Sequence, residues 1–71
     1  MQDVQRKIGQ RIRKLRQEQG WSQETFADMC KFHRSYMGAV ERGEVNLTIK
    51  SLQTISKTLG ISISALFRGI A

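Results

Sequence analysis

Several residue types are scarce in this chain, and each scarcity removes a class of protein. The 71 residues include one cysteine, one histidine and no proline. One cysteine excludes an internal disulfide, and one cysteine with one histidine supplies too few ligands for a closed zinc site. No apolar run approaches the roughly 18 residues of a membrane span, and the first residues lack the apolar core of a secretory signal. We therefore expect a soluble, cytoplasmic protein with no membrane partner.

Acidic residues are also few. Twelve Lys and Arg face six Asp and Glu, which gives a net charge of +6 at pH 7. The first 20 residues hold six of the basic side chains and two of the acidic ones. This imbalance favours a polyanionic partner, nucleic acid before membrane, although a basic helix face that is merely solvated would give the same count.

The length predicts a single domain over residues 1–71. A chain this short buries only about 60% of its unfolded surface, so its stability is marginal. Disulfides, metals and self-association are the usual sources of extra stability in such chains. With the first two excluded, we expect self-association.

Apolar spacing predicts an all-α chain of five short helices over residues 3–19, 22–30, 33–42, 48–59 and 62–68. The first carries one apolar stripe, made of Val4, Ile8, Ile12 and Leu15. Each later helix starts with an apolar residue, a cap residue and a second apolar residue four positions after the cap, the spacing of a hydrophobic staple. The caps are Ser22, His33, Thr48 and Ser62. Gly20, Gly43 and Gly60 stand where helix C-caps belong.

Residues 21–43 read as two short helices joined by a turn at residues 31–33, the spacing of a DNA-binding helix-turn-helix unit. In the second of these helices Met37 and Val40 point inward. Arg34 can donate twice to guanine, and Ser35 and Tyr36 can bond bases or phosphates. Gly38 costs about 1 kcal/mol against alanine inside a helix. That cost is understandable if DNA, or a packed neighbouring helix, approaches the backbone there.

Taken together, these residues resemble the Cro/C1-type (Xre-like) helix-turn-helix family, which has a compact lambda-repressor-like DNA-binding fold. The resemblance rests on Arg11-Ile12-Arg13 with Leu15-Arg16, Ser22-Gln23-Glu24 with Ala27, Arg34-Ser35-Tyr36, Glu41-Arg42-Gly43, and Asn46 to Leu52. The run Arg34-Ser35-Tyr36, followed by Glu41-Arg42 and by Asn46 to Leu52, also looks like the controller proteins of restriction-modification systems. The chain departs from the family at Lys31, where glycine is usual, and at His33, where serine, threonine or aspartate is commoner.

The resemblance implies roles for individual residues. It implies base contacts by Arg34, Ser35, Tyr36 and Ala39, and phosphate contacts by Gln23, Arg16, Arg42 and Asn46. It also implies an ion pair between Arg16 and Glu41 that joins helices 1 and 3.

A second apolar line on helix 5 predicts a dimer interface. Ile63, Phe67 and Ile70 are spaced by four and three residues, and no other helix remains to cover them. The alternative is that the C-terminal segment folds back and buries them within one chain.

An enzyme is not expected. Cys30 and His33 are three residues apart and could pair as nucleophile and base, but no orienting third group is evident and a buried structural cysteine is the better interpretation. We expect no cofactor, no metal and no small-molecule substrate.

Two function classes remain. The first is a nucleoid-associated transcriptional regulator that binds a palindromic operator as a homodimer, with helix 3 in the major groove. It would be a restriction-modification controller or a phage-type repressor. The second is an antitoxin or another protein-interaction module on the same scaffold.

Overall fold

Five helices account for most of the chain, which confirms the all-α prediction. The structure, a computed structural model, describes residues 2–70, and side chains from residue 4. The helices are α1 (Gln2–Glu18), α2 (Gln23–Cys30), α3 (Arg34–Arg42), α4 (Ile49–Leu59) and α5 (Ile63–Leu66). Within residues 2–70 there is no strand, and no helix is long and apolar enough to cross a bilayer.

The four predicted caps all stand at helix starts. The hydroxyls of Ser22, Thr48 and Ser62 each accept a hydrogen bond of 3.0 Å from the backbone N–H three residues later. These bonds satisfy amides that the helix itself leaves without partners. His33 caps α3 through its extended backbone alone, without a side-chain hydrogen bond. The hydroxyl caps therefore set where α2, α4 and α5 begin.

The end of α2 departs from usual residue preferences. Lys31 follows α2 with φ 60° and ψ 38°, and its N–H donates to the carbonyls of Ala27 and Asp28. This left-handed conformation costs a residue with a Cβ about 1 kcal/mol or more. Lysine thus makes the turn for which the family usually uses glycine.

Helix α5 is shorter than predicted. It spans Ile63–Leu66 rather than residues 62–68, and Phe67 already has non-helical backbone angles. The chain then turns, because Gly69 takes φ 82° and the N–H of Ile70 donates to the carbonyl of Phe67 at 3.0 Å. The tight turn replaces the last helical residues that the apolar spacing predicts.

The core lies between all five helices. Its largest fully buried side chains come from α1, α2, α3, α4 and α5, and they are Ile12, Phe26, Met37, Val40, Ile55 and Leu66. Val4, the first member of the predicted α1 stripe, is 43% exposed. The stripe is therefore buried at Ile8 and Ile12 and half-buried at Leu15.

Helices α1 and α3 approach each other backbone to backbone at Gly9. A Cβ placed on Gly9 would lie 2.5 Å from the carbonyl oxygen of Val40 and 2.7 Å from that of Glu41. Both distances are far inside van der Waals contact, and the atoms belong to a helix backbone that has no room to move. Only glycine fits there, a requirement that the sequence pattern did not reveal.

Candidate nucleic-acid interface

The turn between α2 and α3 is held by backbone bonds and aromatic packing. The N–H of Phe32 donates to the carbonyl of Ala27 at 2.8 Å. The ring of Phe32 meets the ring of Tyr36 edge to face, with centroids 5.0 Å apart. Met37 and Val40 fix the inner side of α3 in the core. The outer side of α3 is thereby held at a constant angle to α2, with Arg34 and Ser35 exposed and Ala39 half-buried.

A cleft of about 490 Å³ opens between the start of α2 and the outer side of α3. We call it the recognition cleft, and its lining residues are Gln23, Arg34, Ser35, Gly38 and Arg42. Two guanidinium groups line it and, among the side chains from residue 4 to residue 70, no carboxylate does. Its chemistry therefore suits an anion with several hydrogen-bond acceptors.

Gly38 forms the floor of the recognition cleft. A Cβ on Gly38 would lie 3.0 Å from Nη1 of Arg42 and 3.4 Å from Oε1 of Gln23. The nearest atoms thus belong to side chains of α3 and of the neighbouring helix α2, and no backbone atom of another helix is among them. Glycine at this position leaves room for Gln23 and Arg42 above the helix.

Arg16 and Glu41 form a buried, bidentate ion pair between α1 and α3. Nε of Arg16 donates to Oε2 of Glu41 at 2.8 Å, and Nη2 donates to Oε1 at 3.0 Å. Nη1 of Arg16 donates to the carbonyl of Trp21 at 2.9 Å. Only 9% of the Arg16 side chain and 3% of the Glu41 side chain are exposed. The geometry does not support the phosphate contact predicted for Arg16, because all three of its nitrogens are engaged and the side chain is covered.

The ion pair extends into the recognition cleft. Nε2 of Gln23 donates to Oε1 of Glu41 at 3.1 Å, the same oxygen that accepts from Arg16. Gln23, at the start of α2, is thus oriented by a carboxylate of α3. The buried pair and the predicted phosphate ligand form one hydrogen-bonded network.

Three other predicted contact residues already have partners within the chain. The hydroxyl of Tyr36 lies 3.2 Å from that of Ser51 at the start of α4. Oδ1 of Asn46 accepts from Nε2 of Gln5. Nε of Arg42 lies 3.1 Å from Oε2 of Glu44, in a pair whose side chains are both more than half exposed. Hydrogen bonding to Glu44 raises the pKa of Arg42.

The structure thus brings four of the eight predicted contact residues around one cleft and places four elsewhere. Gln23, Arg34, Ser35 and Arg42 line the recognition cleft. Arg16, Tyr36, Ala39 and Asn46 are not among its lining residues.

Cys30 and His33 have separate environments. Cys30 is buried, and its Sγ lies 3.5 Å from the hydroxyl oxygen of Thr58. Burial raises the pKa of the Cys30 thiol, and the hydrogen bond with Thr58 opposes that shift. His33 is exposed at the start of α3. These surroundings agree with the interpretation of Cys30 as a buried structural cysteine rather than a nucleophile paired with His33.

The predicted interface residues Ile63, Phe67 and Ile70 are half-buried at the edge of the core. Neither full exposure nor complete burial within the chain describes them. Arg11, a residue that the sequence analysis did not single out for this role, holds the segment in place. Its Nη2 donates to the carbonyl of Ala65 at 3.1 Å and its Nε to that of Leu66 at 3.3 Å. The sequence gives no local signal for this contact, because its partners are more than 50 positions away.

Comparison with known proteins agrees with this geometry. A sequence profile described as helix-turn-helix matches residues 12–66. Control protein C.MunI from Mycoplasma sp is 38% identical over 71 residues, which cover 99% of this chain and 96% of that protein.

Two solved structures are similar to the whole fold. The restriction-modification controller protein C.AhdI from Aeromonas hydrophila has a TM-score of 0.87 and 39% identity over 93% of this chain and 96% of its own. The controller protein C.Esp1396I, solved as a tetramer with its natural 35 base-pair operator, has a TM-score of 0.81 and 39% identity over 90% and 84%. On the profile match and these full-length similarities, this chain belongs to the helix-turn-helix family and, within it, to the group of control proteins.

Proposed function

We propose that this chain is a sequence-specific, DNA-binding transcriptional regulator that controls a restriction-modification system. The observation that carries the proposal is the recognition cleft, where Gln23, Arg34, Ser35 and Arg42 converge on the outer side of the helix-turn-helix unit. The similarity to C.Esp1396I, whose structure holds operator DNA, supports duplex DNA as the partner. Such a protein acts in the cytoplasm, in association with the nucleoid.

Residues of the first turn of α3 are proposed to read bases. Arg34 and Ser35 are exposed there, and the first turn is the part of a recognition helix that reaches base edges. Ala39 lies farther along the same side, where a methyl group suits contact with thymine. Tyr36 would use its hydroxyl, which lies 3.2 Å from the hydroxyl of Ser51, to bond a base or a phosphate.

The remaining contacts are proposed to go to phosphates. Gln23 is the first residue of α2, where backbone N–H groups and the helix dipole favour an anion. Arg42 supplies charge at the other end of the recognition cleft, and Asn46 lies in the loop that follows α3. Such contacts fix the position of the protein on DNA without reading its sequence.

The experiment begins with selection of bound sequences from a random DNA pool. Binding to the selected duplex and to a random duplex is then measured over a salt series. We expect Arg34→Ala to cost about 1–3 kcal/mol on the selected site and to relax preference at one base pair. We expect Gln23→Ala to weaken both duplexes alike. Equal weakening of both duplexes by Arg34→Ala would refute base reading, and an antitoxin-like interaction module would show no duplex preference at all.

The chain is further proposed to act as a twofold dimer through Ile63, Phe67 and Ile70. Two α3 helices about 34–36 Å apart would match one turn of DNA and select a palindromic operator. Half-buried apolar side chains at the edge of a small core are a suitable surface for this contact. The tetramer that C.Esp1396I forms on its operator supports self-association.

Sedimentation of Phe67→Asp tests the interface. We expect a folded monomer that binds a half-site weakly and no longer binds the full palindromic operator. Ile49→Asp is the matched control, because Ile49 is 69% exposed on α4 and lies outside the proposed surface. A Phe67→Asp variant that still sediments as a dimer would place the interface elsewhere.

A further inference from the structure

We infer that Arg6, on α1, is an additional ligand for the DNA backbone, outside the helix-turn-helix unit. The inference rests on the proposed function. It starts from a second cleft of about 370 Å³, which we call the flanking cleft, lined by Gln5, Arg6, Arg42, Gly43 and Glu44. Arg42 lines both clefts. The surface that begins at Arg34 therefore continues past Arg42 to Arg6.

The backbone of α1 at Arg6 is packed directly on the end of α3. A Cβ on Gly43, which caps α3 with φ 75°, would lie 2.6 Å from Cα and 2.8 Å from N of Arg6. Such a close approach fixes the start of the Arg6 side chain relative to the recognition helix. The hydrogen bond from Gln5 to Asn46 ties the same part of α1 to the loop after α3.

The charges in the flanking cleft favour Arg6 as the group that meets an anion. The carboxylate of Glu44 lines this cleft, but it is paired with Arg42. Arg6 is exposed. The loop residues 44–46 read Glu-Val-Asn and include no cation, although this is the loop where the family resemblance predicts backbone contacts. Arg6 supplies the positive charge that the loop itself lacks.

The ligand class follows from this position. A cation beside the end of a recognition helix, away from its first turn, faces the sugar-phosphate backbone rather than base edges. The contact is with a phosphodiester of the duplex, it carries no sequence information, and it contributes to the salt dependence of binding.

The test compares Arg6→Ala with Lys7→Ala. Lys7 is the matched control because it is the next residue of α1, is also exposed, carries the same charge and is not a lining residue of either cleft. A direct phosphate contact differs from a general effect of net charge in that it changes the slope of log affinity against log salt. Affinity for the selected duplex and for a random duplex is measured for both variants from low to moderate salt.

We expect Arg6→Ala to weaken both duplexes about tenfold, the loss typical of one charge-assisted hydrogen bond, and to reduce the salt slope by about one. Lys7→Ala should leave the slope unchanged and affinity within about twofold. Arg6→Lys, which keeps the charge, should keep most of the slope. Circular dichroism of each variant verifies that the fold is retained. If Arg6→Ala is partly unfolded, the salt slopes of Arg6→Lys and Arg6→Gln are compared instead, and that comparison decides whether Arg6 contacts a phosphate.

Two outcomes overturn the inference. Equal effects of Arg6→Ala and Lys7→Ala, while Arg34→Ala relaxes base preference, would remove Arg6 from the interface and leave the proposed function standing. Failure of the unsubstituted chain to bind any duplex would overturn both.

Discussion

The contact between α1 and α3 and the segment that contains α5 are built in opposite ways. At the first, the backbones touch at Gly9 and at Gly43, and a bidentate ion pair is sealed between the helices. At the second, a helix of four residues holds half-buried apolar side chains against the core edge and is fastened by one arginine. The first arrangement leaves no space for adjustment, and the second leaves apolar surface open.

This difference separates two properties of the molecule. Substitutions between α1 and α3 should change the free energy of unfolding, because every atom there is in close contact. Substitutions in α5 should change association more than folding, because its side chains bury only part of their surface within the chain. The following variants test that separation.

The largest effect is expected for Glu41→Gln. The substitution leaves the Arg16 guanidinium buried without its counter-ion, which costs about 3 kcal/mol of unfolding free energy. It also replaces one of the two oxygens of residue 41 by an NH2 group, which cannot accept from Arg16 or Gln23. Denaturant unfolding measures the loss. The control is Glu44→Gln, which breaks the exposed pair with Arg42 and should barely move the midpoint; an unchanged midpoint for Glu41→Gln would contradict the assignment.

A slightly smaller effect is expected for Gly9→Ala. The added methyl group would overlap two carbonyl oxygens of α3, and overpacking of this kind costs about 2–3 kcal/mol. The same measurement on Gly20→Ala is the control, because a Cβ on Gly20 would meet no atom within 4 Å. That variant should lose only about 1 kcal/mol, from the left-handed backbone at φ 79°. Similar losses for the two variants would mean that α1 and α3 are not in rigid contact.

The smallest effect on folding, and the sharpest test of the comparison, is expected for Arg11→Ala. Loss of the bonds to the carbonyls of Ala65 and Leu66 should lower the unfolding free energy by about 1 kcal/mol. The same loss releases the chain just before Phe67. The dissociation constant of the dimer should therefore rise about tenfold, which corresponds to about 1.4 kcal/mol. Arg13→Ala, an exposed arginine on the same helix, serves as control. A dimer as tight as that of the parent chain would show that α5 keeps its position without Arg11.

The fold was predictable where the determinants are local. Ser22, Thr48 and Ser62 reveal their helices because a cap hydroxyl bonds an amide only three residues away. The length of α5 was not predictable in the same way, because apolar spacing favours continuation and a single turn at Gly69 ends it. Gly9 gave no signal, since its requirement arises from Val40 and Glu41, which lie 31 and 32 positions later in the chain.

The predicted DNA-contact residues follow the same rule, because only those with local determinants could be identified. Arg34 and Ser35 were identifiable because exposure of the first turn of α3 follows from helix periodicity. The hydrogen bonds of Tyr36 to Ser51 and of Asn46 to Gln5 join residues 15 and 41 positions apart, so no local pattern encodes them. The burial of Arg16 likewise depends on where α3 lies. The Arg16–Glu41 pair was identifiable from the family resemblance, whereas the partners of Tyr36 and Asn46 were not identifiable from the sequence.

The buried sulfur of Cys30 provides a means of timing the separation of helices. The thiol lies against Thr58, so it joins α2 to α4, and burial raises its pKa. An alkylating reagent can reach it only after those two helices part. Because the chain holds one cysteine, the labelling rate measures a single opening event. The ratio of that rate to the rate for an unfolded chain gives the equilibrium for the opening of α2 from α4, with and without DNA, and no probe has to be engineered.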